Sequence, residues 1–166
     1  MPNHALYQRA LGRGHASPSA AGSLPVACWD IYSSSYVHIA VFGLPSGTCI
    51  PLHDHPGMCV FSKLLQGSLR VVSAEKGAGA APSEATFAAG DTWHLTPEQG
   101  NVHAFIPDAG CSEPALVLEL LTPPYSPTRP CSYYELPAGT STSGAAPLQQ
   151  LQGHPRFLDM VNLTRR

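Results

Sequence analysis

From Leu24 onward the chain alternates short β-prone runs with turn residues. VACWDIY (26–32), YVHIAVFGL (36–44), CIPLHDH (49–55), CVFSKLL (59–65) and SLRVV (68–72) are separated by SSS, PSG, HPG and QGS. Runs of this length between Gly, Pro and Ser predict a meander of strands rather than βαβ units. AEKGAGAAPSE (74–84) reads as a loop. It is followed by EATFAAGD (84–91), TWHL (92–95), a turn at TPEQGN (96–101), VHAFI (102–106), a loop at PDAGCSEP (107–114) and the strongly apolar ALVLELL (115–121). A last strand, CSYYELP (131–137), follows the Pro-rich TPPYSPTRP (122–130). The pattern gives about ten strands and no helix of any length before PLQQLQGHPRFLDMVNL (147–163), where Pro155 restricts a helix. Such a set avoids open edges by closing into a barrel or a double-sheet jelly roll. The expectation is therefore an all-β domain over 24–140. A disordered tail over 1–23 precedes it, and a C-terminal extension over 141–166, with room for a short helix, follows it.

Composition narrows this picture. A chain of 166 residues is long enough for one domain with a real core, and 17 Pro and 15 Gly against 12% charged residues suit many short strands. A net charge of -2 with only 9 Lys+Arg offers no cationic face for phosphates, which excludes nucleic-acid and anionic-membrane roles. No run approaches the 18 apolar residues of a membrane span. The cysteines at 28, 49, 59, 111 and 131 are odd in number and without CxxC spacing, so a reducing compartment, cytoplasmic and also nuclear, is expected. A monomer is expected.

The candidate chemistry sits in CIPLHDHPGM (49–58). Residues two apart on a strand share a face about 6.6 Å apart, so His53 and His55 project together and Asp54 projects away. Gly47, five residues, His53-x-His55, four residues, Val60, six residues and Gly67 reproduce the first cupin motif, with Val60 where that motif usually has glutamate. The two glycines suit turns that need φ > 0 or close packing. In GDTWHLTPEQGNVHAF (90–105), Gly90, Pro97, Gly100 and His103 follow the order of the second motif, with one residue of slippage at the proline. His103 is the third ligand candidate. His94, the rival, reads as packed or partly exposed, and His4, His15, His38 and His154 read as non-ligands. Three neutral imidazoles without a carboxylate leave a divalent ion its full charge and open positions, which favours an anionic, chelating substrate. A thiolate with an amine two carbons away fits, and soft sulfur suits iron better than magnesium or calcium. Zinc with a bound water is the competing reading, and spacing alone does not separate the two.

IPLHDHPGMCVFSKLLQGSLRV (50–71), GNVHAFIP (100–107) and LVLELLTPPYSPTRPCSYYELP (116–137) resemble the thiol dioxygenases comprising the plant cysteine oxidases and animal cysteamine (2-aminoethanethiol) dioxygenase. The resemblance extends weakly through WDIYSSSYVHIAVFGLP (29–45). It implies a cupin barrel (a double-stranded β-helix), Fe(II) on His53, His55 and His103, and use of O2 to oxidise a thiol to a sulfinic acid. In the plant branch the thiol is the N-terminal cysteine of a protein, and its oxidation is an oxygen-sensing step of the N-degron pathway. The animal enzyme also takes cysteamine, so a small-thiol dioxygenase is the alternative, and a non-catalytic metal-binding cupin is the alternative of another class. Glu119 stands where the family usually has aspartate, and alternation with Val117 and Leu121 turns it inward. Tyr125 aligns with a pocket tyrosine that can donate a hydrogen bond to what binds at the iron. Cys131 and Tyr133 match a CxYY feature whose members share a strand face and, in the animal enzyme, can form a thioether. Both ends depart from the family pattern, which bears on peptide preference.

Overall fold

The computed structural model describes residues 26–76, 81–135, 148–152 and 160–162. Every regular element among them is a strand: β1 (Val26–Ser33), β2 (His38–Leu44), β3 (Ile50–Asp54), β4 (Cys59–Gln66), β5 (Ser68–Ala74), β6 (Ser83–Ala88), β7 (Thr92–Leu95), β8 (Val102–Pro107), β9 (Ala115–Thr122), β10 (Tyr134–Glu135), β11 (Gln149–Gln150) and β12 (Met160–Asn162). No helix of the described residues is long and apolar enough to cross a membrane. The tail expected over 1–23 lies outside the described residues.

The strands form a six-stranded sheet, β12-β1-β2-β9-β4-β7, and a four-stranded sheet, β3-β8-β5-β6, with β10-β11 as a separate pair. This is the double-stranded β-helix expected of a single cupin domain. Period-two patterning drives it: along β4, Val60, Ser62 and Leu64 are buried while Phe61, Lys63 and Leu65 are exposed. The main core interleaves Val26, Leu44, Leu64 and Val117 of one sheet with Ile50, Leu69, Val71 and Phe105 of the other. Edge strands β6 and β7 meet through a Phe87–Trp93 stack with centroids 4.2 Å apart, and Trp93 sets its edge on Phe105 at 5.9 Å.

The glycines of the first motif hold the expected turns. Gly47 has φ of 81° and Gly67 has φ of 83°. At Gly67 a Cβ would lie 3.1 Å from the Cα of Ala115, so both backbone conformation and close approach require glycine there. Of the C-terminal extension, the described residues carry β11 and β12, and the rest of the stretch with room for a short helix lies outside the described residues. β12 pairs in parallel with β1 (Val26↔Met160, Ala27↔Val161, Cys28↔Asn162), so its backbone groups find partners on an existing sheet edge.

Antiparallel pairing fixes where chemistry can collect. Asp54 faces Val102, Cys59 faces Thr122 and Val60 faces Leu95, so β3, β7 and β9 end where β4 and β8 begin. The segments 55–58, 96–101 and 123–133 therefore gather at one mouth of the barrel.

Candidate metal centre

His53 and His103 are direct cross-strand partners on β3 and β8, and His55 follows one residue beyond the end of β3. The backbone of His55 is pinned by Asn101: its N–H donates to the Asn101 carbonyl at 3.2 Å, and Asn101 Nδ2 donates to the His55 carbonyl at 2.7 Å. The three rings form a near-equilateral cluster with centroid separations of 4.8, 4.7 and 4.8 Å. One ligand atom of each lies within 4.8 Å of the others, and all three residues are buried. The structure thus brings together the three candidate ligands.

Proton bookkeeping defines what the cluster can bind. Nδ1 of His53 lies 2.9 Å from the Pro51 carbonyl, which can only accept, so that nitrogen carries the proton and Nε2 is bare. Tyr125 has one hydroxyl proton, and it goes to the Asp54 carbonyl at 2.6 Å. Tyr125 must then accept from Nδ1 of His55 at 2.8 Å, which leaves Nε2 of His55 bare as well. That Nε2 sits 3.0 Å from Nε2 of His103. Burial keeps the rings neutral. It is the largest influence lowering His53 against opposing hydrogen bonds and the Asp54 charge, it takes His55 to about 2, and with the other two histidines it takes His103 well below the usual range. Neutral, convergent nitrogens, with the far sides of His53 and His55 already committed, fit a divalent cation of the iron or zinc type.

Of the remaining candidates, Tyr125 lies against His55 and Tyr133 against His53. Val60 is fully buried at the inward position, so no carboxylate reaches the centre from β4. Glu119 is inward on β9 and buried, in register with Ala40 and Ser62. Ser62 Oγ donates to its Oε1 at 2.9 Å, yet burial outweighs this bond and pushes the carboxyl up to about 7. Tyr125 lies behind His55 rather than donating toward the ligand side, because the Asp54 carbonyl takes its proton. Burial, ahead of Cys131, raises its hydroxyl well above the usual range. Cys131 Sγ lies 3.9 Å from the Ser132 carbonyl, and burial raises its thiol above the usual value despite the neighbouring Tyr125 and Tyr133 hydroxyls. Cys131 belongs to no strand, and Tyr133 is held by an isolated bridge to His53.

His94 is exposed on the outer face and stacks on Phe61 at 6.2 Å, away from the centre. His38 has a partner that the sequence does not reveal: its Nε2 lies 2.8 Å from Asp30 Oδ1. Asn101, Ser62 and Lys76 are also missed by sequence reasoning. The one signal was for Ser62, a polar residue at an inward position between Val60 and Leu64.

The PCO_ADO family profile matches residues 3–154. The chain is 35% identical over 143 residues to 2-aminoethanethiol dioxygenase of Mus musculus, covering 68% of this chain and 55% of that protein. It is 34% identical over 137 residues to plant cysteine oxidase 1 of Arabidopsis thaliana, covering 74% and 45%. It thus spans about half the length of these relatives. Among solved structures, a double-stranded β-helix protein of Klebsiella pneumoniae aligns with a TM-score of 0.52 at 18% identity, over 72% of this chain and 90% of that one, which speaks to the fold alone.

Proposed function

The chain belongs to the PCO_ADO family, and from that premise we propose that it is an Fe(II)-dependent thiol dioxygenase acting on the N-terminal cysteine of proteins or peptides. The observation that carries the reading is the carboxylate-free centre of His53, His55 and His103, with Val60 at the position that would otherwise supply an acid. Fe(II) held there would supply the site where thiolate and O2 meet and the path for electrons between them. The overall step is R–S⁻ + O2 → R–SO2⁻: the O–O bond breaks, two S–O bonds form and sulfur gives up four electrons.

The chain's own residues set the conditions for this step. Three uncharged imidazoles leave the cation's charge undiminished, which favours a thiolate over a thiol. An N-terminal cysteine carries an amine two carbons from sulfur and so presents a chelating pair. Glu119 has one oxygen committed to Ser62, and its other oxygen can hold the proton that the substrate ammonium loses. In this reading the product marks the protein for arginylation and degradation, an oxygen-sensing step of the N-degron pathway, in the cytoplasm or nucleus, by a monomer.

Similarity to a 2-aminoethanethiol dioxygenase favours a second reading, oxidation of cysteamine, which shares the same thiol and amine spacing. Comparing a +32 Da mass gain on a Cys-initiated peptide with that on cysteamine separates the two. His53→Ala and His103→Ala are each expected to abolish iron content and sulfinic acid formation. Retained activity in both variants overturns the assignment. Iron rather than zinc is expected on metal analysis after anaerobic purification, and stoichiometric zinc would move the centre to Lewis-acid chemistry.

A further inference from the structure

Asp54 separates the two histidines of the HDH motif and is itself 1% exposed. Its side chain leaves the opposite face of β3 and meets the segment that returns across the mouth. Oδ1 accepts the Ser132 N–H at 2.7 Å, and Oδ2 accepts the Tyr134 hydroxyl at 2.9 Å and the Lys76 ammonium. The Asp54 N–H donates to the Ser132 carbonyl at 3.0 Å, and the Asp54 carbonyl accepts from Tyr125 at 2.6 Å. Every polar group of this residue is therefore spent on the segment 125–134 and on Lys76. Lys76 also lies 5.4 Å over the Tyr134 ring.

Alternation sorts the two facing segments. Even-numbered Asp54, Ser132 and Tyr134 engage one another, whereas odd-numbered His53, His55, Cys131 and Tyr133 fall on the side of the centre. The His53–Tyr133 bridge sets their register. Residues 123–132 belong to no strand, so no sheet ladder holds Tyr125 and Cys131 in place. Three donors converge on the two Asp54 oxygens, a demand that a carboxylate meets and an amide does not.

We propose that Asp54 and Lys76 form a latch, acting as positioning residues that seat Tyr125, Cys131 and Tyr133 against the histidine centre. The kinetic part of this inference rests on the thiol dioxygenase reading, whereas the seating of Cys131 does not. Half-buried Cys131 is the natural reporter, because it adjoins Ser132, whose N–H and carbonyl both pair with Asp54. Opening exposes it in proportion to the open population.

The test labels the full-length chain with a maleimide and follows Cys131 by peptide mass spectrometry, with Cys111, in the loop 108–114, as the internal reference. Asp54→Ala is expected to speed Cys131 labelling about tenfold and Lys76→Met about threefold, with Cys111 unchanged. Asp54→Asn, which keeps the Ser132 bond but turns an amide toward Lys76, should fall between Asp54→Ala and the parent. In the iron-loaded protein, Asp54→Ala is expected to lower kcat about tenfold on a Cys-initiated peptide, with KM within about twofold and iron content unchanged. Unchanged Cys131 labelling in both Asp54→Ala and Lys76→Met, or equal acceleration at Cys111, overturns the latch. Absence of thiol oxidation by the parent would overturn the functional reading alone, since the labelling still decides the seating.

Discussion

Glu119 shows how far surroundings can alter a side chain. Its folded carboxyl titrates at about 7 against an ordinary value of 4.5, chiefly through burial. Between those values the folded chain holds a proton that the unfolded chain has released, so this group's contribution to stability falls as pH rises through the window and stays lost above it. Glu119→Gln removes the titration. The metal-free variant is expected to melt above the parent at pH 8, by on the order of 3 kcal/mol at most, and level with it at pH 4. A difference that does not vary with pH would dispose of the explanation. The inward aim of Glu119 was legible from alternation along LVLELL, whereas its Ser62 partner was not, because the register of β4 against β9 depends on contacts 57 residues apart. Tyr125 illustrates the same limit. Its presence near the centre could be read from the TPPY resemblance, but the direction of its proton depends on which carbonyl lies within reach.

At the scale of the element, the motif-bearing strands were the most legible part. HxH on one strand and a histidine opening the next are local patterns, and β3 and β8 place His53 directly across from His103. Gly67 and Gly57 allow a test of what the turns require. At Gly67 a Cβ meets the Ala115 backbone, whereas at Gly57, with φ of 64°, it meets open space. Chemical denaturation of Gly67→Ala should show a loss of more than about 2 kcal/mol, against about 1 kcal/mol for Gly57→Ala. Equal losses would mean that the Ala115 approach contributes nothing. The C-terminal extension was not legible in the same way. QQ and MVN carry no strand signal of their own, and β12 exists because β1 offers it an edge.

For the molecule as a whole, the all-β class followed from turn spacing, since each short run needed a neighbour and closure supplied one. The buried histidines then tie the stability of the barrel to pH. Their folded values lie below the ordinary 6.5, so the stability of the neutral rings is fully present above 6.5 and is lost as pH falls toward the folded values. Glu119 acts in the opposite sense, one group against three, so the Glu119→Gln chain is the cleaner subject. Its melting temperature should drop from pH 7 to pH 5 together with metal release, and excess metal should move the drop to lower pH. A pH-independent melting curve over that range would contradict this linkage. The seam where Phe87 stacks on Trp93 joins the edge strands of the two sheets, and the chain has only two tryptophans. That seam makes the protein its own optical gauge: Trp93 emission follows the parting of the two sheets, and a titration that empties the mouth while the signal holds steady distinguishes a disarmed barrel from an unfolded one.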